Sequence, residues 1–327
     1  MSLLSAVADF LKPAPLLDPS LRKALDRVAE LVDPMLKAAP GFEKHLSGPV
    51  QHAIGYCDGL VAALPGPIDI SRKAFASDPL IHALFATADD VNQMLGRSQA
   101  VRDFLEEPCS WDSPYFYAMF AARRQQKRQL GIAQQGDVIR SDVPQLVLYF
   151  SGQTLIEPSC QLDTTLHGLR CKALESLLHT FRAHVQALRH ERDDLRGNVS
   201  AERAHLAVLR GSASGTEREV GTRHLAELDA KLRKTAASLT PEHLVDALAE
   251  YLQSPEPALH LSPVSVTVDR LGVLRDEATQ DAHTLNFPEL SARDRRLHLA
   301  MLARINRDEA LEAVEMVRDQ QHRFMLI

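Results

Sequence analysis

The sequence predicts an α+β protein, mostly α-helical: a helical N-terminal region, a small antiparallel sheet built from hairpins, and a long antiparallel coiled-coil helical hairpin inserted between them. Three patterns lead there. Apolar residues recur at three- and four-residue steps over most of the chain, which is the period of a helix face. Two stretches, near 146–156 and 264–273, alternate with a period of two around turn residues, as hairpin strands do. Between them a heptad pattern runs out and back across the reversal "RGSASGT".

Bulk composition sets the outer limits. The chain has 327 residues, ample for a sizeable core or two domains, and 45% of them are hydrophobic, so disorder does not explain the whole. The formal net charge is -6, so nucleic-acid binding would need a local basic patch. Cys57, Cys109, Cys160 and Cys171 are scattered without a CxxC pair, which fits reduced thiols and a cytoplasmic setting. The opening "MSLLSAVADFLKP" lacks a cationic region and does not read as a signal peptide, and no stretch approaches the roughly 18 apolar residues of a membrane span. Leu3, Leu4, Val7, Phe10 and Leu11 share a helical face. With Asp9 among them and no cation before Lys12, that face is expected to dock on protein rather than on a membrane surface.

Residues 1–131 read as a helical N-terminal domain. Asp18-Pro19 is an N-cap followed by Pro at the first helical position, and Leu21, Leu25, Val28 and Val32 supply a stripe. Ser47-Gly48-Pro49 opens a second helix toward Leu64, "PGPIDIS" is a rigid turn, and Asp78-Pro79, Asp89 and Ser98 mark further starts. Ser113-Pro114 opens a helix through "SPYFYAMFAARRQQKRQLG" that ends at Gly131. Helical spacing puts Phe116, Met119, Phe120 and Leu130 on one face with Arg123 and Lys127, and Arg124 and Arg128 about 100° round.

Residues 132–160 and 254–327 form a small α+β body. Leu146, Leu148 and Phe150 alternate up to a turn at Ser151-Gly152, and Thr154 to Ile156 return. Val264, Val266 and Val268 lead into a turn over Asp269 to Gly272, with Val273 returning. In "RRLHLAMLARI" the alternation of Leu297, Leu299, Met301 and Ile305 competes with helix-forming residues. The strand reading is preferred because two hairpins need more sheet. A final helix from Asn306 to His322 turns Leu311, Val314 and Val317 inward.

Residues 161–253 form the helical hairpin. Phe181, Val185, Leu188, Leu195, Val199, Leu206 and Leu209 hold heptad spacing, with Arg192 and Glu202 in the two seam positions that are not apolar. Leu225, Leu228, Leu232 and Leu239 repeat the spacing on the second arm. Thr240-Pro241 starts a helix with Leu244, Val245, Leu248 and Leu252.

Recognisable catalytic motifs are missing. There is no GxxxxGK[ST], GxGxxG or HExxH, and "GSASG" at 211–215 has Ala213 where a nucleophile would stand. His184, His190, His205 and His224 lie in the arms, where they read as solvated. Cys160, His167 and Cys171 have zinc-like donor types and His167 and Cys171 a helical spacing of four, yet no fourth ligand is evident; buried Cys serves more often as a small hydrophobe. Asp137, Arg140 and Asp142 could bind a cation or do acid–base work, though turn chemistry and ion pairing explain them as well. No cofactor is expected.

The leading expectation is a cytoplasmic, non-enzymatic interaction, scaffold or regulatory protein. Its coiled-coil arm binds a protein partner or a second copy through Leu188, Arg192, Leu195 and Glu202. The alternatives are nucleic-acid binding by the basic helix at Arg123, Arg124, Lys127 and Arg128, with Arg293, Arg295 and Arg296, and an enzyme of unfamiliar type with its site near the sheet.

Overall fold

The computed structural model describes residues 18–135, 138–209, 215–275, 282–292 and 297–325. In chain order the helices are α1 (Pro19–Val32), α2 (Phe42–Ala62), α3 (Arg72–Ser77), α4 (Pro79–Leu84), α5 (Ala88–Arg97), α6 (Gln99–Glu106), α7 (Leu162–Leu209), α8 (Gly215–Ser238), α9 (Pro241–Gln253) and α10 (Arg307–Met325). The strands are β1 (Ile68–Asp69), β2 (Tyr115–Gln135), β3 (Val138–Ser159), β4 (Leu259–Asp269), β5 (Ala282–Ala292) and β6 (Leu297–Asn306). The protein is therefore α+β and mostly helical, with a small, mainly antiparallel sheet and one helix of 48 residues. Among the described residues no helix is long and apolar enough to cross a membrane. The expected apolar face at Leu3–Leu11 lies outside the described residues.

Two compact units divide the chain, Met1–Gly55 with Glu175–Pro255 and Tyr56–Leu174 with Glu256–Ile327. Among the described residues the first holds helices and no strand. Asp18 caps α1 by accepting from the Ser20 N–H at 3.2 Å, and Leu25, Val28, Ala29 and Val32 are buried beneath it. The helix α2 starts at Phe42 rather than at the expected Ser47-Gly48-Pro49, and Pro49 lies within it. Burial of Phe42, Leu46, Val50 and Ala53 on one stripe carries the helix upstream, at the loss of the bond that the proline nitrogen cannot donate. Leu177, Leu178, Phe181 and Val185 of α7 and Leu244, Val245, Leu248 and Leu252 of α9 complete the buried set. Phe181 stacks on Tyr251 at 5.3 Å, and the Tyr251 hydroxyl donates to the Leu177 carbonyl at 3.1 Å. Arg189 hydrogen-bonds the buried Asp33, which also accepts from the Met35 N–H at 3.0 Å.

In the second unit the described strands run in the order β3-β2-β6-β5-β4, with β1 parallel to the far half of β6. The expected strand at 297–305 is there. Leu299, Ala300, Met301, Leu302, Ala303 and Ile305 are buried on both faces, and that burial outweighs their helix propensity.

The expected helix from Ser113 to Gly131 is instead the strand β2, so Arg123, Arg124, Lys127 and Arg128 lie on a strand and not on a basic helix. Phe116, Ala118, Phe120 and Ala122 alternate into the core, and β2 pairs with β6 from Tyr115↔Asn306 to Arg123↔His298. Pairing and period-two burial overrode the helix formers between Ala121 and Leu130.

The turn expected at Ser151-Gly152 is a β-bulge within one continuous 22-residue strand. Pairing of β2 with β3 slips at three places, each time with the extra residue on β3. Asp142, Gly152 and Glu157 occupy those slips with φ of 62°, 64° and 54°.

The sheet also closes on itself. The turn at Asp269–Gly272 forms as expected, and Asp269 Oδ1 accepts from the Leu271 and Val273 N–H groups at 2.9 and 3.0 Å. Val273 and Leu274 then bond to β4 on one side and to β3 on the other. On the β3 side the Leu148 N–H donates to the Gly272 carbonyl and the Leu274 N–H to the Leu146 carbonyl, both at 2.8 Å. Helices α4 to α6 and α10 cover one face with Ile81, Leu84, Leu95, Phe104 and Ala313. On the other face Met119, Ile156 and Leu302 meet Val61 and Leu169. In α10, Ala310, Ala313 and Val317 are buried, while Leu311 and Val314 are half-buried at the edge of that core.

Candidate functional site

The helical hairpin is the first candidate. Along α7, Phe181, Val185 and Val199 are buried, and Leu188, Arg192, Leu195, Glu202, Leu206 and Leu209 are half-buried. His184, His190, His205 on α7 and His224 on α8 are exposed. On α8, Gly221 and Thr235 are buried and Leu225, Leu228 and Leu232 half-buried. The two helices meet within the chain. Arg203 reaches Asp229 at 3.1 Å, and Gly221 sits so close to Leu206 that an added Cβ would lie 2.6 Å from its Cδ2. The same Cβ would lie 3.2 Å from the Glu202 carboxylate. Arg192 has 26% of its side chain exposed and pairs with its neighbour Asp193 at 2.8 Å; the Glu202 side chain is 19% exposed.

The β2–β3 ribbon is the second. Strand alternation sends Arg123 and Lys127 to one face and Arg124 and Arg128 to the other. The four cations are thus not one cluster. Arg124 is engaged by Glu289 in a two-pronged pair at 2.5 and 3.2 Å, with only 4% of the Glu289 side chain exposed. Arg123, Lys127 and Arg128 remain exposed, as do Leu130 at 66% and Ile132 at 69%. Arg140 and Asp142 are exposed near the far end of β3. Asp137, Arg293, Arg295 and Arg296 lie outside the described residues.

The thiol and imidazole candidates do not come together as a ligand set. His167 Nε2 and Cys171 Sγ are 3.9 Å apart on α7, but the Cys160 thiol turns away to donate to the Cys109 carbonyl at 2.7 Å. Among the described residues no group of three His, Cys, Asp or Glu could hold a metal ion.

Sequence reasoning did not anticipate a cavity of about 640 Å³ in the second unit, between α3–α4, β3 and the Asp269–Gly272 turn. Phe75, Leu84, Phe85 and Phe150 give it apolar walls, and His82, Tyr149, Arg270 and His283 bring polar groups. Its carboxylates are committed. Asp78 caps α4 through the Leu80 N–H at 2.8 Å, and Asp269 holds the turn and Arg275. The Ser77 hydroxyl donates to the Lys73 carbonyl at 3.2 Å. These residues come from separate segments, so no local spacing announces them.

Comparison with protein-family models, with curated proteins and with solved structures gives no match.

Proposed function

We propose that this protein works by interaction rather than catalysis, as a cytoplasmic scaffold or regulator, and that the hairpin of α7 and α8 is the element that binds, first of all to a second copy of itself. The half-open heptad seam of α7 supports this reading. It is self-complementary about Gly197. An antiparallel two-fold contact sets Arg192 against Glu202 of the second copy and Leu188 against Leu206, with half-buried Leu195 beside the axis. Each polar seam residue then meets one of opposite charge. A two-fold interface has this property, since every contact occurs twice. Four helices would share the core, as in antiparallel bundles, and the coiled-coil seam would be completed between chains.

Sedimentation velocity tests this. The full chain is expected to sediment as a concentration-dependent dimer. Leu188→Asp with Leu195→Asp should give a monomer that keeps most of its helical ellipticity. A wild-type monomer across the whole micromolar range would rule the reading out.

Polyanion binding is the second reading, supported by the exposed cations Arg123, Lys127 and Arg128 on β2, leading to exposed Leu130 and Ile132 where β2 and β3 run on as a two-stranded ribbon. A ribbon of that width fits the major groove of DNA. Its affinity for duplex DNA should fall steeply between 50 and 200 mM salt, by roughly tenfold or more for a few phosphate contacts, and Lys127→Ala with Arg128→Ala should flatten the slope. Absence of binding at low salt would dispose of it.

A further inference from the structure

Cys109 sits in a short 3₁₀ turn, Pro108–Ser110, just before β2. That turn is pinned. The fully buried Ser110 hydroxyl donates to the Leu105 carbonyl at 3.0 Å and to the Glu107 carbonyl at 2.8 Å, and the Trp111 N–H donates to the Pro108 carbonyl at 3.2 Å. Cys160 follows the last residue of β3, where Ser159 pairs with Tyr117 of β2. The Thr165 hydroxyl on the first turns of α7 donates to the Tyr117 carbonyl at 3.1 Å and fixes the chain beyond it. Two rigid carriers therefore hold thiols that are 51 residues apart in sequence with the Cys160 sulfur 2.7 Å from the Cys109 carbonyl oxygen. Cys109 is exposed and Cys160 half-buried, so a small reagent can reach both. The remaining thiols are placed elsewhere. Cys57 is buried, and Cys171 lies beside His167 on α7.

We infer that Cys109 and Cys160 form a dithiol site that a small-molecule disulfide of the glutathione type converts to an intramolecular disulfide. One protein thiolate attacks a sulfur of glutathione disulfide; a mixed disulfide forms and one glutathione thiolate leaves. The second protein thiol gives up its proton and attacks the protein sulfur of that mixed disulfide, and the second glutathione leaves. Two protein thiols thus lose two electrons and two protons, and one glutathione disulfide becomes two glutathione thiols. The Cys160 thiol next to it, with burial and the Glu107 carboxylate behind, holds the Cys109 thiol up at about 11, so Cys109 rests as the thiol at neutral pH and its exchange is slow rather than instantaneous. The bond would staple the open end of the β2–β3 hairpin to the start of α7 and close the whole ribbon into one covalent loop.

The full-length reduced protein, incubated with glutathione disulfide, alkylated and digested, decides the matter by mass spectrometry. The expected product is a Cys109–Cys160 linked peptide that also forms in Cys57→Ser and Cys171→Ser and disappears on reduction. Cys109→Ser and Cys160→Ser should each retain glutathione on the remaining thiol. The oxidised wild type should melt at a higher temperature than the reduced protein, and the Cys109→Ser protein should show no such rise. Glutathione retained separately on Cys109 or Cys160 of the wild type, a bond from either to Cys171, or no reaction at either thiol would each overturn the inference.

Discussion

Arg203 on α7 holds Asp229 on α8 at 3.1 Å, and with Gly221 set against Leu206 this fixes the two helices side by side and antiparallel. The ion pair itself contributes little, because the Arg203 side chain is 60% exposed; surface pairs of this kind are worth about 0–1 kcal/mol. Close approach at Gly221 matters more. Gly221→Val is expected to destabilise the first unit by about 1–3 kcal/mol, although any residue but proline outranks glycine in an isolated helix. Urea unfolding followed by helical ellipticity measures it. A more stable Gly221→Val protein would show that α8 does not lie against Leu206.

The Arg124–Glu289 pair joins β2 to β5 across β6. Glu289→Ala leaves a half-buried guanidinium without its counterion, and roughly 3–5 kcal/mol of stability should be lost. Glu289→Gln keeps the shape and should cost less. If both variants unfold at the wild-type denaturant midpoint, the pair does not hold the sheet.

Burial, and then the Asp58 charge, push the Cys57 thiol up to about 12. The folded state therefore favours the protonated thiol, whose stabilising effect is complete below the unfolded-state value near 9 and is lost as pH climbs from there toward 12. Relative to Cys57→Ala, the wild type should lose melting temperature between pH 9 and pH 11. A gap that stays constant over that range would mean that the thiol is not shielded.

Helix starts were legible in the sequence wherever a cap is local. Asp18 and Asp78 accept from N–H groups two residues on, and Ser98 accepts from Val101 at 3.4 Å. The fifth start was read two residues too late, at Asp89 rather than Thr87, because the reciprocal capping box of Thr87 and Asp90 was passed over. Heptad spacing was equally direct, since the residues at seam positions are the shielded ones. The strand β2 was not legible as such. Ala121 to Leu130 prefer a helix, and pairing decides for a strand: to β6, more than 170 residues away, as far as Arg123, and to β3 along the rest. Alternation of Phe116, Ala118, Phe120 and Ala122 was the available signal. Ring closure through Val273 and Leu274 left no trace in local pattern, because two residues carry it. The approach of Cys160 to Cys109 is likewise a product of strand register and not of spacing.

A charge exchange in the α7 seam tests the central claim most directly. Arg192→Glu, Glu202→Arg and the double variant would be compared with the wild type by sedimentation equilibrium. Each single variant sets like charges opposite one another across the two-fold contact and should weaken the dimer about tenfold or more. The double variant restores opposite charges and should return to within a few-fold of wild type. Single variants that dimerise as well as the wild type, or a double variant as weak as the singles, would contradict the self-complementary hairpin.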